Sequence, residues 1–419
     1  MQIRCLLLHL LFVVSAISCL EWRESKIITV NKDGQFDKRI QVYYCKIKLN
    51  LFGFLKTYIQ KSLESALKWM EKAIYTWDAP HKYPVSWPSK MVDGYKTEDS
   101  VGRVTIQTPN KLFSVDYNSQ DFREIFDAAD LVVFITQSDC KKAIAEASGG
   151  PLVMQAPNLK QQMQKLGSLR YCYHEYNEQF NYFDLFRHEL IHVLGYGTIS
   201  KTDVDEVENE TYKWKFEDGS EQEARRYFFD TENENAKREV MKHFDCDSLD
   251  GVEADLEGKH LDEYIFFNEL MTPLLNQRNY FSYISAAIID GITLGDEPWY
   301  KVNRTFITPE ADLYSYGKGF GCTFLKKSCF EFLAERKETT NPRPAPFCLE
   351  DSIEKCFVVN GELKTFSCLQ DPYTGQPAEN GILPPKDKSK YNNPILRYCP
   401  IFMNYYQLEQ FEMVDCSHE

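Results

Sequence analysis

The sequence predicts an α+β protein built in several parts, and three observations support this. A near-continuous apolar run at 130–136 is typical of a strand buried on both faces of a sheet. The region 182–194 is apolar on nearly all sides, so we expect a helix inside a core. Seven of the 13 cysteines fall in 311–419, which predicts a separate region held by disulfides.

The first half of the chain predicts a sheet covered by a long helix. Segments 26–30 and 40–47 are β-branched and aromatic with partial alternation, which favours strands. Apolar residues recur at spacings of three and four over 54–77, the pattern of an amphipathic helix packed on a sheet. Segment 103–107 is predicted as a further strand, and 79–90 as a loop.

The second half is predicted to be poorer in regular structure. Residues 200–260 are highly charged, and we expect mostly solvated loop there with one polar helix at 232–243. An apolar segment at 283–290 predicts another helix, which ends before a glycine. From Tyr300 onward the pattern is loop-rich.

Composition limits the class of protein. With 419 residues the chain is long enough for two or three domains, and 43% hydrophobic and 14% aromatic residues allow a large core. The net charge of −14 disfavours a phosphate-binding surface, so we expect no nucleic-acid partner.

The N-terminus predicts secretion. An apolar run from Cys5 to Ile17, with Ala16 and Ser18 at a spacing that suits signal peptidase, predicts a signal peptide over 1–18. Its removal leaves twelve cysteines, an even number. We see no other apolar run of membrane length and no lipid-anchor signal in 412–419, so we expect a secreted, extracellular protein.

Two sequons, at Asn209 and Asn303, agree with an extracellular glycoprotein. Association with a membrane surface and the oligomeric state stay open.

The segment with the most specific chemistry is His188-Glu-Leu-Ile-His192. Positions four apart lie on one face of a helix, so the two imidazoles can bind a single zinc ion. Glu189 is placed to act as a general base on a zinc-bound water. Asn181 or Asp184 can cap the helix, and Gly195 lets the chain leave it.

A catalytic zinc needs a third protein ligand and an open position. Setting aside His9 in the predicted signal peptide, the pair itself and the terminal His418, the candidates are His81, His174, His243 and His260. Spacing alone does not choose among them. A Met-Thr-Pro turn that begins eleven residues after His260 favours that residue.

These segments together resemble the leishmanolysin family of metzincin metallopeptidases. The resemblance rests on 188–195, then a long insertion, then Gly258-Lys-His260 and Asn268-Glu-Leu-Met271. In that family the third histidine follows a long insertion, and a methionine turn lies beneath the zinc. Further similar segments are 130–136, 243–246, 319–325, 347–348 and 398–400.

The residue patterns and the resemblance together predict a division of the chain. It consists of a signal peptide at 1–18 and a metzincin-like catalytic subdomain at 19–198, with a twisted mixed sheet and a buried active-site helix. A mostly helical and loop lower subdomain follows at 199–310, and a cysteine-rich C-terminal domain at 311–419.

The resemblance also implies roles. His188, His192 and His260 would bind one Zn²⁺ per chain, and Glu189 would activate water for the hydrolysis of peptide bonds. Met271 would be a structural floor of the site rather than a ligand. The partners implied are protein or peptide substrates of a secreted zinc endopeptidase.

Two alternatives belong to other classes. One is a catalytically inactive, zinc-stabilised secreted binding or adhesion protein; the presence of Glu189 argues against it, because a structural zinc site has no use for a base. The other is a disulfide-rich binding module without metal, in which His188 and His192 are only partnered core histidines.

Overall fold

The structure, a computed structural model, divides into two compact units, and each is described by itself. The first unit is Met1–Glu178, Tyr182–Tyr196 and Ile289–Phe306. The second unit is Gln179–Asn181, Gly197–Ile288 and Ile307–Glu419. The residues that the structure describes are 22–24, 38–39, 42–46, 53–76, 95–98, 103–108, 111–116, 131–138, 145–152, 163–172, 181–197, 208–229, 232–294, 297–298, 300–338, 346–347, 354–359, 362–367, 377–378, 380–383, 394–401 and 411–414.

The described chain has a mixed α and β structure with several small sheets. The helices are α1 (Gly53–Ala73), α2 (Tyr182–Val193), α3 (Glu234–Phe244), α4 (Glu263–Phe266), α5 (Tyr283–Asp290), α6 (Arg304–Ala311), α7 (Cys322–Lys326) and α8 (Cys329–Glu338). The strands are β1 (Trp22–Glu24), β2 (Lys38–Arg39), β3 (Val42–Lys46), β4 (Ile74–Thr76), β5 (Tyr95–Glu98), β6 (Arg103–Thr108), β7 (Lys111–Asp116), β8 (Leu131–Ser138), β9 (Ala145–Leu152), β10 (Met163–Cys172), β11 (Glu208–Lys215), β12 (Glu221–Phe228), β13 (Glu253–Ala254), β14 (Thr293–Leu294), β15 (Glu297–Pro298), β16 (Tyr300–Val302), β17 (Glu354–Val359), β18 (Glu362–Ser367) and β19 (Phe411–Val414).

The main sheet of the first unit has the strand order β1-β3-β8-β10-β9. Strands β3, β8 and β10 run parallel, while β1 and β9 are antiparallel to their neighbours. The central strand β8 buries Leu131, Val133 and Ile135. The predicted strands at 40–47, 103–107 and 130–136 are confirmed. The segments predicted at 26–30 and 79–90 lie outside the described residues.

Helix α1 is shorter than predicted. The apolar spacing predicted a helix over 54–77, but α1 ends at Ala73 and Ile74–Thr76 forms β4. Strand β4 pairs with β16 and with β2, so its backbone groups bond to neighbouring strands. Ile74 continues the helical spacing, and only its pairing with a distant strand ends the helix there.

The second unit contains a hairpin that the sequence did not predict. The expectation of mostly solvated loop over 200–260 was wrong, because β11 and β12 form an antiparallel pair there. Along this hairpin Trp214, Ala224, Arg226 and Phe228 are buried, while Lys213, Lys215, Glu223 and Arg225 are exposed. The abundance of charge conceals a two-residue alternation that favours strands.

Two helices of the second half are confirmed, and one expectation is corrected. Helix α3 starts behind Asn233, whose side chain accepts the backbone N–H of Ala236 at 3.0 Å. Helix α5 has the predicted bounds 283–290. The loop-rich expectation after Tyr300 was wrong, because β16 and the helices α6, α7 and α8 follow.

These later helices are short, and their apolar side chains belong to an aromatic core. The ring of Phe324 packs against Tyr264 at 5.0 Å and against Phe332 at 5.2 Å between centroids. Helices of so few residues are stabilised by such packing rather than by their own periodicity, which explains why the pattern was missed.

Two disulfides fasten the second unit. Cys246 pairs with Cys322, and Cys329 pairs with Cys399. They support the expectation of a disulfide-stapled C-terminal region; the pairing of the other cysteines lies outside what the structure describes. The predicted subdomain limits at 198 and 310 stay a prediction.

Candidate metal centre

Helix α2 brings two histidines together in the first unit. The Nε2 atoms of His188 and His192 are 3.1 Å apart, and the ring planes are inclined by 78°. Two nitrogens on one tetrahedral zinc, each at about 2.0–2.1 Å from the metal, would be about 3.3 Å apart. The helical spacing therefore gives a pair of nitrogens that suits a shared metal ion.

The first histidine and the glutamate lie in a core. His188 is 6% exposed and Glu189 is 7% exposed, whereas His192 is half-buried. Buried polar groups need partners, so the imidazole of His188 and the carboxyl of Glu189 require polar or metallic partners within this core.

Aromatic contacts fix helix α2 within its unit. Tyr182 meets Tyr58 of α1 edge-on at 5.9 Å between ring centroids. Phe186 lies 6.3 Å from Tyr171 of β10. These contacts hold the first turns of the helix against both α1 and the sheet.

An arginine on the same helix adds a buried ion pair. Arg187 pairs with Asp184 at 2.5 Å, and its guanidinium lies 4.8 Å from the ring centre of Trp69. Asp184 and Arg187 are the other charged residues that α2 buries, and their ion pair compensates the burial of both charges.

The end of helix α2 orients the second histidine. Nδ1 of His192 lies 3.1 Å from the backbone carbonyl oxygen of Tyr196. A proton on Nδ1 that bonds to this carbonyl leaves the lone pair of Nε2 free for a metal. The turn depends on Gly195, whose φ of 107° is strained for other residues.

In the second unit His260 is oriented by a carboxylate. Its Nδ1 lies 2.7 Å from Oδ2 of Asp255. Burial opposes the ionisation of Asp255, but hydrogen bonds from the His260 ring and from backbone N–H groups outweigh it and hold the pKa of Asp255 below its ordinary value. An imidazole with a carboxylate on Nδ1 is the arrangement that presents Nε2 as a metal ligand.

Met271 is bonded to the same segment. Its carbonyl oxygen accepts the N–H of Leu261 at 2.9 Å, and its own N–H donates to Oε2 of Glu269 at 2.5 Å. Met271 and Glu269 have no solvent exposure. The methionine turn and the residue after His260 are therefore held together by a backbone hydrogen bond.

Glu269 holds this turn from inside. Its Oε1 accepts the backbone N–H of Ser282 at 3.0 Å and the hydroxyl of Ser282 at 2.8 Å. Burial raises the pKa of Glu269, although these bonds and the one from Met271 oppose the shift. The carboxyl thus ties the turn to the start of helix α5.

A close backbone contact fixes the approach to His260. Gly197, five residues after His192, has φ of 76°. A Cβ there would lie 2.5 Å from the carbonyl oxygen of Lys259. A glycine is required at this position because both the backbone conformation and the contact with Lys259 exclude a side chain.

The other histidine candidates have different outcomes. His243 of α3 bonds through Nε2 to the carbonyl oxygen of Tyr316 at 2.7 Å and stacks on Tyr314 at 4.7 Å, so its ring already has a structural role. Burial lowers the pKa of His243. His81 and His174 lie outside the described residues.

A further sulfur and carboxylate group, Cys246 with Asp247 and Cys322, lies at the end of α3. Cys246 and Cys322 form a disulfide, so their sulfurs are not thiolate ligands.

These features define a class of protein with an HExxH sequence on a buried helix. Comparison with known sequences is more specific: the sequence profile of the family described as Leishmanolysin matches residues 170–370, just under half of the chain. The predicted resemblance to the leishmanolysin family is thereby confirmed.

Individual relatives agree with this. A leishmanolysin-like peptidase of Drosophila pseudoobscura pseudoobscura is 34% identical over 116 residues, which are 26% of this chain and 16% of the relative. A leishmanolysin-like peptidase of Drosophila melanogaster is 32% identical, with the same coverage. One of Caenorhabditis elegans is 31% identical over 107 residues, 24% of this chain and 15% of the relative. The matched part of the chain spans about a sixth of the length of these relatives.

The sequence identified the histidines, Glu189 and Met271, but three supporting residues were missed. Asp255, Glu269 and Gly197 lack a recognisable spacing to the ligand candidates, and their roles come from tertiary contacts. Two sequence features could have indicated them: Gly197 follows Gly195 by two residues, and Glu269 is the first residue of the Glu-Leu-Met triplet.

Proposed function

We propose that this protein is a zinc-dependent endopeptidase. The observation that carries the proposal is the pair of the buried His188 and the half-buried His192, with their Nε2 atoms 3.1 Å apart and the buried Glu189 beside the first. This pair lies within the segment that matches the leishmanolysin family. The relatives with sequence similarity to this chain are named as leishmanolysin-like peptidases.

His260 is our proposed third ligand. Asp255 occupies its Nδ1 and leaves Nε2 for a metal. The backbone of the preceding residue, Lys259, is in contact with Gly197, which follows the histidine helix by a few residues. Three imidazole nitrogens form a donor set that zinc prefers, and they leave a fourth position open for chemistry.

The chain's own groups have distinct tasks in this proposal. When bound, zinc would supply Lewis acidity toward a peptide carbonyl and toward water. Glu189, buried beside His188, takes the proton of the attacking water and delivers it to the departing amine. The carbonyl of Tyr196 and the carboxylate of Asp255 keep the imidazoles of His192 and His260 in the tautomer that binds metal.

The proposal also covers the fold of the catalytic domain. A mixed sheet, a buried histidine helix and a buried methionine turn support a metzincin-like catalytic domain, in which Met271 is a floor and not a ligand. We extend the proposal to one zinc per chain and to the subdomain division at 19–198, 199–310 and 311–419.

We also propose that the protein works outside the cell. The two disulfides agree with an oxidising compartment. Within the described part of the chain, no helix combines the length and the apolar composition that a membrane span requires. The signal peptide at 1–18, its removal, and glycosylation at Asn209 and Asn303 are parts of this proposal that protein sequencing of the secreted material can test.

The central experiment compares wild type with Glu189→Gln on a mixed peptide library. We expect wild type to cleave, the variant to retain about one zinc per chain and lose cleavage, and a chelator to abolish the wild-type activity. Glu223→Gln, an exposed acid on β12, is the matched control and should cleave as wild type does. Cleavage by Glu189→Gln would exclude Glu189 as the base.

Metal analysis separates the alternatives. Zinc in a wild-type protein that cleaves no peptide would favour the inactive, zinc-stabilised binding protein. Absence of zinc from freshly secreted, folded protein would contradict the metal site itself. Unchanged zinc content in His260→Ala would move the third ligand to a histidine outside the described residues.

A further inference from the structure

Residues 255–260, which we call the His260 loop, are held mainly at their base. The N–H of Asp255 donates to the carbonyl oxygen of His260 at 2.9 Å, and the N–H of Asp262 donates to the carbonyl oxygen of Glu253 at 3.2 Å. The side chains along the loop itself are largely exposed, namely those of Leu256, Glu257 and Lys259. Little side-chain packing therefore fixes the loop, and its geometry depends on how the two sides of its base are joined.

One guanidinium joins the two sides of this base. Nη2 of Arg397 bonds to Oε1 of Glu253 on one side and lies 2.8 Å from Oδ2 of Asp262 on the other. Glu253 and Arg397 are buried, and Asp262 is half-buried. Two carboxylates that share one donor atom would repel each other without the cation between them. Arg397 therefore adds a second closure to the backbone hydrogen bond at the base of the loop.

The second arginine of this cluster contacts only one side of the base. Arg226 bonds through Nε to Glu253 at 3.2 Å and through Nη1 to Glu210 at 3.4 Å. Although burial opposes the ionisation of Glu253, the guanidinium groups of Arg397 and Arg226 hold its pKa below the ordinary value. Among the described residues, Glu253 thus pairs with both arginines, whereas Asp262 pairs with Arg397. Loss of Arg226 leaves the bridge across the base in place, and loss of Arg397 removes it.

The backbone around Arg397 is held firmly in an unusual conformation. Arg397 has φ of 55° and Tyr398 has φ of 60°, in the left-handed region that is uncommon for residues with a side chain. The next residue, Cys399, forms a disulfide with Cys329. The guanidinium lies 4.8 Å from the ring centre of Tyr264. Such a backbone persists only where the surrounding structure requires it, which indicates that the position of this guanidinium matters.

We propose that Arg397 is a positioning residue for the proposed third metal ligand, His260. By bonding to Glu253 and Asp262, it closes the base of the His260 loop. The closed loop keeps the carboxylate of Asp255 at 2.7 Å from Nδ1 of His260, which leaves Nε2 for the metal. This inference rests on the proposed function, because it takes His260 as a ligand. It extends the support of the metal site to the cysteine-rich C-terminal region.

The test compares Arg397→Met with Arg226→Met in the full-length protein at neutral pH. Both variants remove a buried guanidinium that bonds to Glu253, but only the first removes the bridge to Asp262. In competition with a chromogenic chelator, Arg397→Met should bind zinc about 10–100-fold more weakly than wild type, and Arg226→Met less than about threefold more weakly. Unchanged zinc affinity in Arg397→Met, or equal losses in the two variants, would overturn the proposal.

A conservative variant separates the bridge from simple packing. Both bonds across the base come from the single nitrogen Nη2 of Arg397. A lysine ammonium has three donors, so Arg397→Lys should recover part of the zinc affinity that Arg397→Met loses. Equal affinities of Arg397→Lys and Arg397→Met would show that the loss comes from packing, which contradicts the proposal.

Hydrogen exchange in the metal-free protein measures the order of the loop without relying on zinc. The amides of Asp255 and Asp262 are bonded across the base, so they should exchange faster in Arg397→Met than in Arg226→Met once the base opens. A wild-type protein that binds no zinc would contradict the proposed function itself. A wild-type protein that binds zinc, together with equal exchange of these amides in the two variants, would contradict only the role of Arg397.

A milder variant keeps the proposal testable if Arg397→Met does not fold. Asp262→Asn retains an oxygen that can accept the N–H of Ile265 at the start of α4, but it turns an amide NH₂ toward Nη2 of Arg397. Its zinc affinity should fall severalfold. Glu210→Gln is the matched control, because it removes one partner of Arg226 and leaves the bridge in place. An Asp262→Asn protein with the zinc affinity of wild type would overturn the proposal.

Discussion

The two segments that carry the proposed metal ligands are held by different means. In 182–196 the spacing of His188 and His192 follows from the helix itself, and His192 is oriented by the backbone carbonyl of Tyr196. In 255–271 no helix sets the position of His260. It depends on the side chain of Asp255 and on contacts with residues more distant in sequence.

The difference teaches which half of the candidate site is sensitive to substitution. No side-chain change removes the Tyr196 carbonyl itself, so outside the histidines the orientation of His192 depends mainly on Gly195, which forms the turn. The loop segment has three supports that a single substitution removes: Gly197, Glu269 and Asp255. We therefore expect that substitutions of residues other than the proposed ligands disturb the geometry of the loop segment.

Gly197→Ala is the change with the largest expected effect. The methyl group meets the Lys259 carbonyl at 2.5 Å in a left-handed backbone conformation, so we expect a loss of about 2–5 kcal/mol in the free energy of unfolding. Urea unfolding followed by tryptophan fluorescence measures it. Gly219→Ala is the control, because Gly219 has φ of 80° but no atom within 4 Å; it should cost only about 1–2 kcal/mol. Equal losses in the two variants would show that the Lys259 contact contributes nothing.

Glu269→Gln should weaken the methionine turn. The two carboxyl oxygens accept backbone N–H groups of Met271 and Ser282, and an amide NH₂ must face one of them. We expect a loss of roughly 1–3 kcal/mol in unfolding free energy, again by urea unfolding. Glu257→Gln, on the surface of the same segment, should change it by less than about 0.5 kcal/mol. A Glu269→Gln protein as stable as wild type would mean that the turn does not need both acceptors.

Asp255→Ala should lower the affinity for zinc without removing a ligand. Loss of the acceptor on Nδ1 frees the His260 ring, and we expect about 10–100-fold weaker binding in competition with a chromogenic chelator. Asp255→Asn should recover part of the affinity, because its amide oxygen can accept the same proton. Asp250→Ala, an exposed acid, is the control. Unchanged affinity in Asp255→Ala would separate His260 from the metal.

The same contrast explains what the sequence could and could not predict. Helix α2, strand β8 and the bounds of α5 were predictable because local periodicity and burial agree there. The boundary between α1 and β4 was not, because Ile74 suits both elements and a distant strand decides. The hairpin of β11 and β12 was missed because charge concealed its alternation.

In the candidate site, the residues of the HExxH motif were predictable from the sequence. The helix pair and Glu189 follow from spacing, whereas the choice of His260 over His243 rested on the Met-Thr-Pro turn and on the family resemblance. Tertiary contacts then give His243 a partner in Tyr316 and give His260 a carboxylate in Asp255. Such partners are separated by variable stretches of chain, so no sequence period reveals them.

The loop segment should also show a pH dependence of its stability, at Glu263. Burial raises its pKa well above the ordinary value near 4.5. Below that value the carboxyl is protonated in both the folded and the unfolded chain, and it costs nothing. As pH rises, the unfolded chain ionises first, so stability falls by at most about 1.4 kcal/mol per pH unit until the folded pKa is passed. Glu263→Gln has no ionisable group at this position, so its stability lacks this fall with rising pH. Its unfolding free energy relative to wild type should therefore increase from pH 4 to pH 8 in urea titrations at constant zinc, since both proteins share every other titrating group. Parallel pH profiles would show that Glu263 has the same pKa in the folded and the unfolded chain, and hence that interactions within the loop segment offset the cost of its burial.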